Sequence, residues 1–506
     1  MLLKRFIVFA TGVLLALPAF AQYKEAVEQP EEDKVVLTLE DALKIALSEN
    51  TSVKVADLEI QRQEYARKGS YGSLLPQVSG SGMYSYALKK QKVYFGSDKQ
   101  SDDGEGSSGG GMAGMMAALM NPIYYYIEQL YAGTGVPYVP YVDPGSSQEG
   151  SSSSSEPMEM GRSHSVTLGL SAQMPLVNFQ LWESLRLSGD QVELAVEQAR
   201  ESRLGTVASV KQAYYAILFA KEAYNVYNSV FENAVENYRL TEMRYNAAKA
   251  SELDLTRAKA NVAAAIPNLY NAENSVELAL WQLKAVMGID LDRNIDVAGS
   301  LEEYAGQMFS DIAEGEQASL EGNTTLRQLA QQAEMLSRQI RMQQYAYLPT
   351  LALTFSYSYL TQSDIFNLSQ WKWFPSSTVG LSLSIPIFSG GQRYHTIKQT
   401  RVQADELELQ RENAERQLRI GIRQSLGTMD TAMRTYDASK EALASAEKAY
   451  DIAVKSYQLG KSTLTDLNNT ELVLTQSRLA VSQAIYNFVI AKAGLEQTLG
   501  YDFNAN

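Results

Sequence analysis

The sequence predicts a mainly α-helical protein with a β-strand contribution suited to a membrane, arranged as two tandem repeats. Three observations predict this fold class. Matched residues recur in both halves, apolar residues recur every seven positions over long segments, and four segments of about ten residues alternate apolar with small polar side chains. A period of two is typical of strands and a period near 3.5 of coiled helices, so each repeat contains both kinds of element.

The first 21 residues have the pattern of a secretory signal peptide. Lys4 and Arg5 precede an apolar run, and a small-x-small pattern ends at Ala21, after which we predict cleavage. A membrane anchor is the alternative. It is disfavoured because the apolar run is shorter than the ~20 residues that a spanning helix needs. The sequence therefore predicts an exported protein.

Composition excludes several classes of protein. The chain has no Cys, so it has neither a lipid-anchoring cysteine nor disulfides nor thiolate metal sites. Its net charge of −14 becomes −16 when Lys4 and Arg5 leave with the signal peptide, and such an acidic chain is a poor partner for nucleic acid. It has two His and no phosphate-binding loop, since SGGQRY lacks the required Gly-Lys-Ser/Thr. We expect no enzyme, cofactor or metal site.

The internal duplication is defined by matched residues. Six pairs carry it: Asn50 with Asn323, Pro76 with Pro349, Pro175 with Pro386, Tyr245 with Tyr457, Asp254 with Asp466, and Gly288 with Gly500. The first two pairs are 273 residues apart and the others 211 or 212, so the first half carries about 62 extra residues between its two prolines. We predict a signal peptide at 1–21, a first repeat at 22–291, a connector at 292–315 and a second repeat at 316–506.

Four segments alternate like strands, at about residues 77–90, 163–175, 350–361 and 377–387. A soluble sandwich could show this pattern, but the length also fits a membrane-spanning strand of 9–11 residues. Four strands cannot close a barrel, and an open edge in lipid leaves backbone groups unpaired. Copies of the chain must then complete the wall; two copies would give eight strands and three would give twelve. The extra residues form a predicted external loop at about 89–163.

The helical segments keep a strict seven-residue spacing, which predicts left-handed coiled coils. The outgoing series are Val210, Ile217, Tyr224, Phe231, Tyr238 and Tyr245, then Ile422, Met429, Tyr436, Leu443, Tyr450 and Tyr457; the returning series are Leu255, Val262, Leu269, Val276 and Leu283, then Leu467, Leu474, Val481, Phe488 and Leu495. We predict helical hairpins at 179–288 and 391–500, turning near 246–251 and 459–463. A helix from about 180 to 245 would be roughly 100 Å long.

Several motifs together resemble the TolC-type outer-membrane efflux protein family (outer-membrane factors). They are LTLEDALKIALSENTSV near the N-terminus, YLP before a strand, IFSGGQ after a strand, and YQLGKSTLTDL at a hairpin turn. The resemblance covers essentially the whole chain after the signal peptide. It implies a homotrimer with a 12-stranded transmembrane β-barrel and an α-helical barrel in the periplasm, with Pro175 and Pro386 where strand changes to helix.

The same resemblance implies a function. Such a protein would be a passive exit duct in the outer membrane, extending into the periplasm, for efflux or type I secretion. Its partners would be a periplasmic adaptor (membrane fusion protein), an inner-membrane pump and outer-membrane lipid, with no nucleic acid and no cofactor. A periplasmic coiled-coil adaptor or scaffold is the alternative, which the duplicated hairpins and four strands disfavour. No motif identifies the cargo.

The resemblance also implies which residues do the work. Asp254, Tyr457 and Asp466 match positions that close the periplasmic entrance, although the two acids could instead cap the helices that follow them. The candidate adaptor-docking residues lie at the turns: Ala248, Lys249, Ser251, Gly460, Lys461 and Ser462. The chain departs from the family pattern where Ala248 replaces glycine, Ser462 replaces a basic residue and Asn469 replaces an acid.

Overall fold

The computed structural model describes residues 35–93, 158–308 and 319–500. The predicted signal peptide, most of the predicted external loop and part of the connector lie outside the described residues. The chain divides into a helical unit within Met1–Tyr71, Phe179–Leu348 and Pro386–Asn506, and a strand unit within Gly72–Asn178 and Pro349–Ile385. Each sequence repeat therefore contributes to both units.

Seven α-helices occur among the described residues. They are α1 Leu39–Glu49, α2 Thr51–Gly72, α3 Phe179–Asn246, α4 Glu252–Met287, α5 Thr324–Tyr345, α6 Gln392–Gln458 and α7 Leu464–Leu499. With 68 and 67 residues, α3 and α6 are each about 100 Å long at ~1.5 Å per residue. None of the helices in these ranges combines the length and apolar character needed to cross a bilayer.

Alanine forms the most buried stripe of α4, which packs against α3. Ala258, Ala265, Ala272 and Ala279 are all buried at a spacing of seven, whereas the predicted seam residues Val262, Leu269 and Val276 are only half-buried. The predicted period is therefore present: Leu283 of the predicted series is fully buried, while Val262, Leu269 and Val276 lie beside the alanine stripe. Alanine lets two helix backbones approach closely, which a seam of larger side chains would prevent.

The main hydrophobic core surrounds a two-stranded parallel sheet. Strand β1 (Val35–Leu37) pairs with a strand of the connector, Ile295–Val297, and Tyr214 of α3 lies beside both. The Tyr214 hydroxyl donates to the Ala298 carbonyl at 2.6 Å and approaches the Leu37 carbonyl at 3.2 Å. Burial raises the pKa of Tyr214 to about 12. A tyrosine hydroxyl that stays protonated thus fixes the N-terminal segment and the connector to α3.

The duplicated asparagines perform the same task in each repeat. Asn50 donates from its side-chain amide to the Val286 carbonyl at 2.6 Å, and Asn323 donates in the same way to the Thr498 carbonyl at 2.6 Å. Both accepting carbonyls belong to the last turn of a returning helix, where no intrahelical donor remains. Asn50 and Asn323 therefore join the start of each repeat to its end.

The duplicated glycines end the returning helices. Gly288 and Gly500 both have φ of +74° as the C-terminal caps of α4 and α7, a conformation that costs glycine little. Space is also short: a Cβ on Gly288 would lie 2.7 Å from the Glu49 carbonyl oxygen. Conformation and close packing both require glycine here.

The strand unit contains one four-stranded antiparallel sheet. In chain order its strands are β2 Gln77–Tyr86, β5 His164–Val177, β7 Thr350–Ser363 and β8 Phe374–Ser384. Two short strands, β3 Gln91–Val93 and β4 Met158–Met160, form a separate antiparallel pair. The connector strand Ile295–Val297 of the helical unit is β6. The strand order is β2-β5-β7-β8, so β2 and β8 are the edges. Neither edge has a strand partner among the described residues.

The register puts the predicted apolar residues on one face of this sheet. Leu168 lies opposite Tyr359, and Phe355 lies between Ala172 and Val379. Both duplicated prolines lie near the change from strand to helix, as expected, but they differ in position. Pro175 lies inside β5 next to a register shift, whereas Pro386 lies beyond the end of β8. A proline near a strand end fits a bulge because it has no N–H to donate.

Candidate functional site

The two hairpin turns have the same backbone geometry. The Ala248 N–H donates to the Tyr245 carbonyl at 2.8 Å, and the Gly460 N–H donates to the Tyr457 carbonyl at 3.0 Å. Ala248 has φ of +58° and Gly460 has φ of +75°. Among the described residues Ala248 is the only non-glycine with positive φ. The first turn therefore keeps the glycine conformation without the glycine.

This pair of turns makes a matched prediction. Ala248→Gly should stabilise the protein, and Gly460→Ala should destabilise it, each by about 1 kcal/mol, because a Cβ is strained in the left-handed region. The two thermal unfolding midpoints, followed by circular dichroism, should move in opposite directions. Shifts of the same sign would contradict the strain assigned to Ala248.

The two acidic gate candidates are the third residues of the returning helices, where each completes a capping box with the N-cap residue Ser251 or Thr463. Asp254 Oδ2 accepts from the Ser251 hydroxyl at 2.7 Å, and Asp466 Oδ2 accepts from the Thr463 hydroxyl at 2.7 Å. In return the Asp254 and Asp466 backbone N–H groups donate to those hydroxyls at 3.1 and 3.2 Å. Both helices thus begin with a capping box. The structure shows the capping role; it leaves a role in the gate as a hypothesis.

Hydrogen bonding lowers the pKa of Asp466, chiefly through the Thr463 hydroxyl and then the Thr463 backbone N–H. A carboxyl whose pKa is lower in the folded than in the unfolded chain stabilises the fold above its unfolded pKa of ~3.9 and loses that contribution as the pH falls through the folded value. Asp466 therefore stays ionised, and the cap intact, at neutral pH.

Tyr457 connects the two hairpins near their turns. Its ring is buried, and its hydroxyl lies 2.6 Å from the hydroxyl of Thr241 on α3. Because the Thr241 hydroxyl donates its single proton to the Asn237 carbonyl at 2.7 Å, the Tyr457 hydroxyl must be the donor in the link. Tyr457 is thus the one gate candidate that joins both hairpins.

Arg244 strengthens this connection. Its guanidinium lies 4.7 Å from the centre of the Tyr457 ring, and it donates to the Gln458 carbonyl at 2.5 Å. A cation over an aromatic face and a hydrogen bond to the final carbonyls of a helix are both favourable. The resemblance to the family places a basic residue at position 462, where this chain has the uncharged Ser462. Here the positive charge near Tyr457 comes instead from Arg244 of α3.

The docking candidates lie at the surface of the turns. Ala248, Lys249, Ser251, Gly460 and Lys461 are exposed, and Ser462 is half-buried. Exposed backbone and two lysines at the turns provide a surface that a partner could contact.

Sequence reasoning missed Thr241 and Arg244. Thr241 is the last of four residues in α3 that recur every seven positions, after Ala220, Tyr227 and Ala234. Tyr227 is half-buried and the other three are buried. This series was hidden because the larger apolar residues of α3 form another one. Attention to small residues at the same period could have found it.

The described fold combines two helical hairpins, which are linked near their turns, with one antiparallel sheet of four strands. Each repeat supplies one hairpin and two of the strands. A sequence model of the family described as Outer membrane efflux protein matches residues 130–289 and 316–501. The chain belongs to that family.

Individual relatives and solved structures agree. The chain is 23% identical to outer membrane protein TolC of Escherichia coli over 352 residues, 67% of this chain and 70% of TolC. It is 22% identical to the alkaline protease secretion protein AprF of Pseudomonas aeruginosa, over 64% of this chain and 68% of AprF. The Campylobacter jejuni CmeC outer membrane channel matches the fold with a TM-score of 0.62 at 18% identity, over 91% of this chain and 85% of CmeC.

These findings confirm the fold class and the location predicted from the sequence. The protein is a homo-oligomeric channel of the outer membrane that extends into the periplasm, and it is an exit duct for efflux or secretion. The alternative of a periplasmic adaptor or scaffold is not supported, because family and fold are both those of the channel component.

Proposed function

We propose that the chain forms a passive homotrimeric duct that is closed at its hairpin turns and opened there by a periplasmic adaptor linked to an inner-membrane pump. The link from Tyr457 to Thr241 and Arg244 carries this proposal, since it joins the two hairpins of one subunit at the turns. Opening would separate the hairpins and break this link. The chain itself would perform no catalysis, and energy would come from the pump.

Exposed surfaces support association of identical copies. The edge strand β2 is exposed along its whole length. Helix α2 buries only Val53 and exposes Val55, Leu58 and Tyr65, whereas its counterpart in the second repeat, α5, packs between α3 and α6. An unpaired strand edge is costly in lipid, and an exposed apolar helix face is costly in water. Neighbouring subunits would cover both.

The proposed acidic gate residues can be tested by neutralisation. Asp254→Asn and Asp466→Asn together should reduce cation selectivity in planar bilayers, because negative charge at a narrow entrance attracts cations. Glu252→Gln is the control, since Glu252 is an exposed acid of the same first helical turn outside the proposed gate. Selectivity and conductance equal to those of the unchanged channel would remove both aspartates from the gate and leave only their capping role.

A further inference from the structure

The second hairpin contains a buried carboxyl group that the proposed duct does not use. Glu471 of α7 is 9% exposed, and Asn233 of α3 and Tyr450 of α6 lie beside its carboxyl group. Its Oε1 atom is nevertheless buried without a hydrogen-bond partner among the described residues. No lysine or arginine of those residues forms an ion pair with it. An acceptor left unpaired in this way is costly unless a ligand or a proton compensates it.

Glu471 lies in the wall of a cleft between the first hairpin and α7. The cleft has a volume of about 450 Å³, which is within the ~300–1,000 Å³ usual for small-molecule sites. Its polar wall consists of neutral amides, among them Asn237 of α3, Asn261 and Asn268 of α4, and Asn468 of α7. Most of the rest is apolar, formed by alanine and leucine side chains with Tyr227 and Val230. Glu471 is the only acidic or basic residue among the described residues that line it.

We propose that this cleft binds a small amphiphilic monocation, an aliphatic ammonium whose charge pairs with Glu471 and whose hydrocarbon part lies against the apolar wall. Charge complementarity identifies this class of ligand. An ammonium donates charge-assisted hydrogen bonds to a carboxylate, and the asparagine side chains can accept the remaining N–H groups. An anion would meet the carboxylate without any cation in the wall, and a neutral apolar molecule would leave the charge of the carboxylate uncompensated.

The protonation of the empty site provides an independent signature. Burial raises the pKa of Glu471, and the neighbouring Asn233 and Tyr450 side chains only partly oppose this. The groups around the carboxyl carry no charge on the neighbouring helices: α3 has Asn233 and Tyr227, α4 has asparagine amides, and α6 has Tyr450. The charge of Arg478, on α7, opposes the rise in the pKa of Tyr450 that burial causes. Because an ammonium pairs with the ionised carboxylate, binding should release a proton at any pH below the raised pKa.

A ligand in this cleft would touch both hairpins, since α3 and α4 form one side and α7 the other. An occupied cleft should therefore keep the hairpins together and lower the probability of opening. That effect on conductance rests on the proposed gate, whereas binding itself does not. A ligand that binds without changing conductance would refute the gate connection and leave the site intact.

The experiment uses the full-length trimer in detergent and titrates hexylammonium chloride by calorimetry, with 1-hexanol as a neutral probe of similar shape. We expect saturable binding of hexylammonium, with proton release revealed by different heats in two buffers of unequal ionisation enthalpy. Glu471→Gln should weaken hexylammonium binding at least tenfold and leave the weak binding of 1-hexanol unchanged. Glu447→Gln, which removes a half-exposed acid of α6, should alter neither.

A second variant guards against misfolding of the first. Leu472→Trp keeps the carboxyl and fills the cleft from an exposed position of its wall, so it should also abolish binding. The proposal is overturned if the unchanged trimer binds no hexylammonium, if 1-hexanol binds as tightly, or if Glu471→Gln or Leu472→Trp retains full affinity.

Discussion

Replacing Tyr457 with phenylalanine should raise the conductance of the closed channel, because the substitution removes only the hydroxyl that donates to Thr241. That hydrogen bond is buried, and its loss should shift the equilibrium towards separated hairpins by about 1 kcal/mol per subunit. If three subunits act together and the effects add, the shift is about 3 kcal/mol, or roughly 150-fold in the ratio of open to closed channels.

Single-channel recording in planar bilayers measures this ratio directly. Arg244→Gln should act in the same direction, since it removes both the cation over the Tyr457 ring and the guanidinium that donates to the Gln458 carbonyl. The matched control is Tyr436→Phe, which removes a hydroxyl from the same helix 21 residues earlier. An unchanged conductance in both Tyr457→Phe and Arg244→Gln would show that the link between hairpins does not hold the channel shut.

Gly288→Ala should cause a large loss of stability in the helical unit, because both the backbone conformation and the packing at this position exclude a side chain. The left-handed φ of +74° costs a non-glycine residue about 1–2 kcal/mol. The added Cβ would also lie 2.7 Å from the Glu49 carbonyl oxygen and 3.0 Å from Asn50 Cα, and the required backbone shift adds about 1–3 kcal/mol. The movement would also disturb the hydrogen bond from Asn50 to Val286.

The midpoint of thermal unfolding of the purified oligomer should therefore fall by several degrees. Gly494→Ala is the matched control, because it lies inside α7 and an added Cβ there meets nothing within 4 Å. That change should be neutral or stabilising by up to ~1 kcal/mol, since alanine favours a helix more than glycine does. Equal midpoints for Gly288→Ala and the unchanged protein would contradict the packing described at the end of α4.

Much of the fold could be predicted because each signal was local and repeated. The seven-residue period identified α3 and α6, and the alternating segments identified β5 and β7, since each pattern follows from the geometry of its own element. The ends of the edge strands were less accurate: β8 begins at Phe374 and ends at Ser384, whereas residues 377–387 were expected. A side chain on an edge strand packs against fewer neighbours. The alternation of apolar and polar residues therefore locates the ends of an edge strand less accurately than those of a central strand.

The candidate site was predicted less well, since function there depends on which residues meet. Tyr457 was identified by family resemblance, but its partners Thr241 and Arg244 are more than 200 residues away in sequence. Asp254 and Asp466 were named as gate residues, and the structure gives each a capping serine or threonine three residues before it. That spacing is a helix-start signal in its own right.

The sequence alone determined that two homologous halves each combine long coiled helices with alternating strands, because periodicity and repetition are properties of residue order. Only the tertiary structure decided that four alanines form most of the buried stripe of α4. It alone also decided that Asn50 and Gly288 join the ends of one repeat, and that Tyr457 reaches across to α3. Each of these depends on the distance between backbones that are remote in sequence, and residue order does not specify that distance.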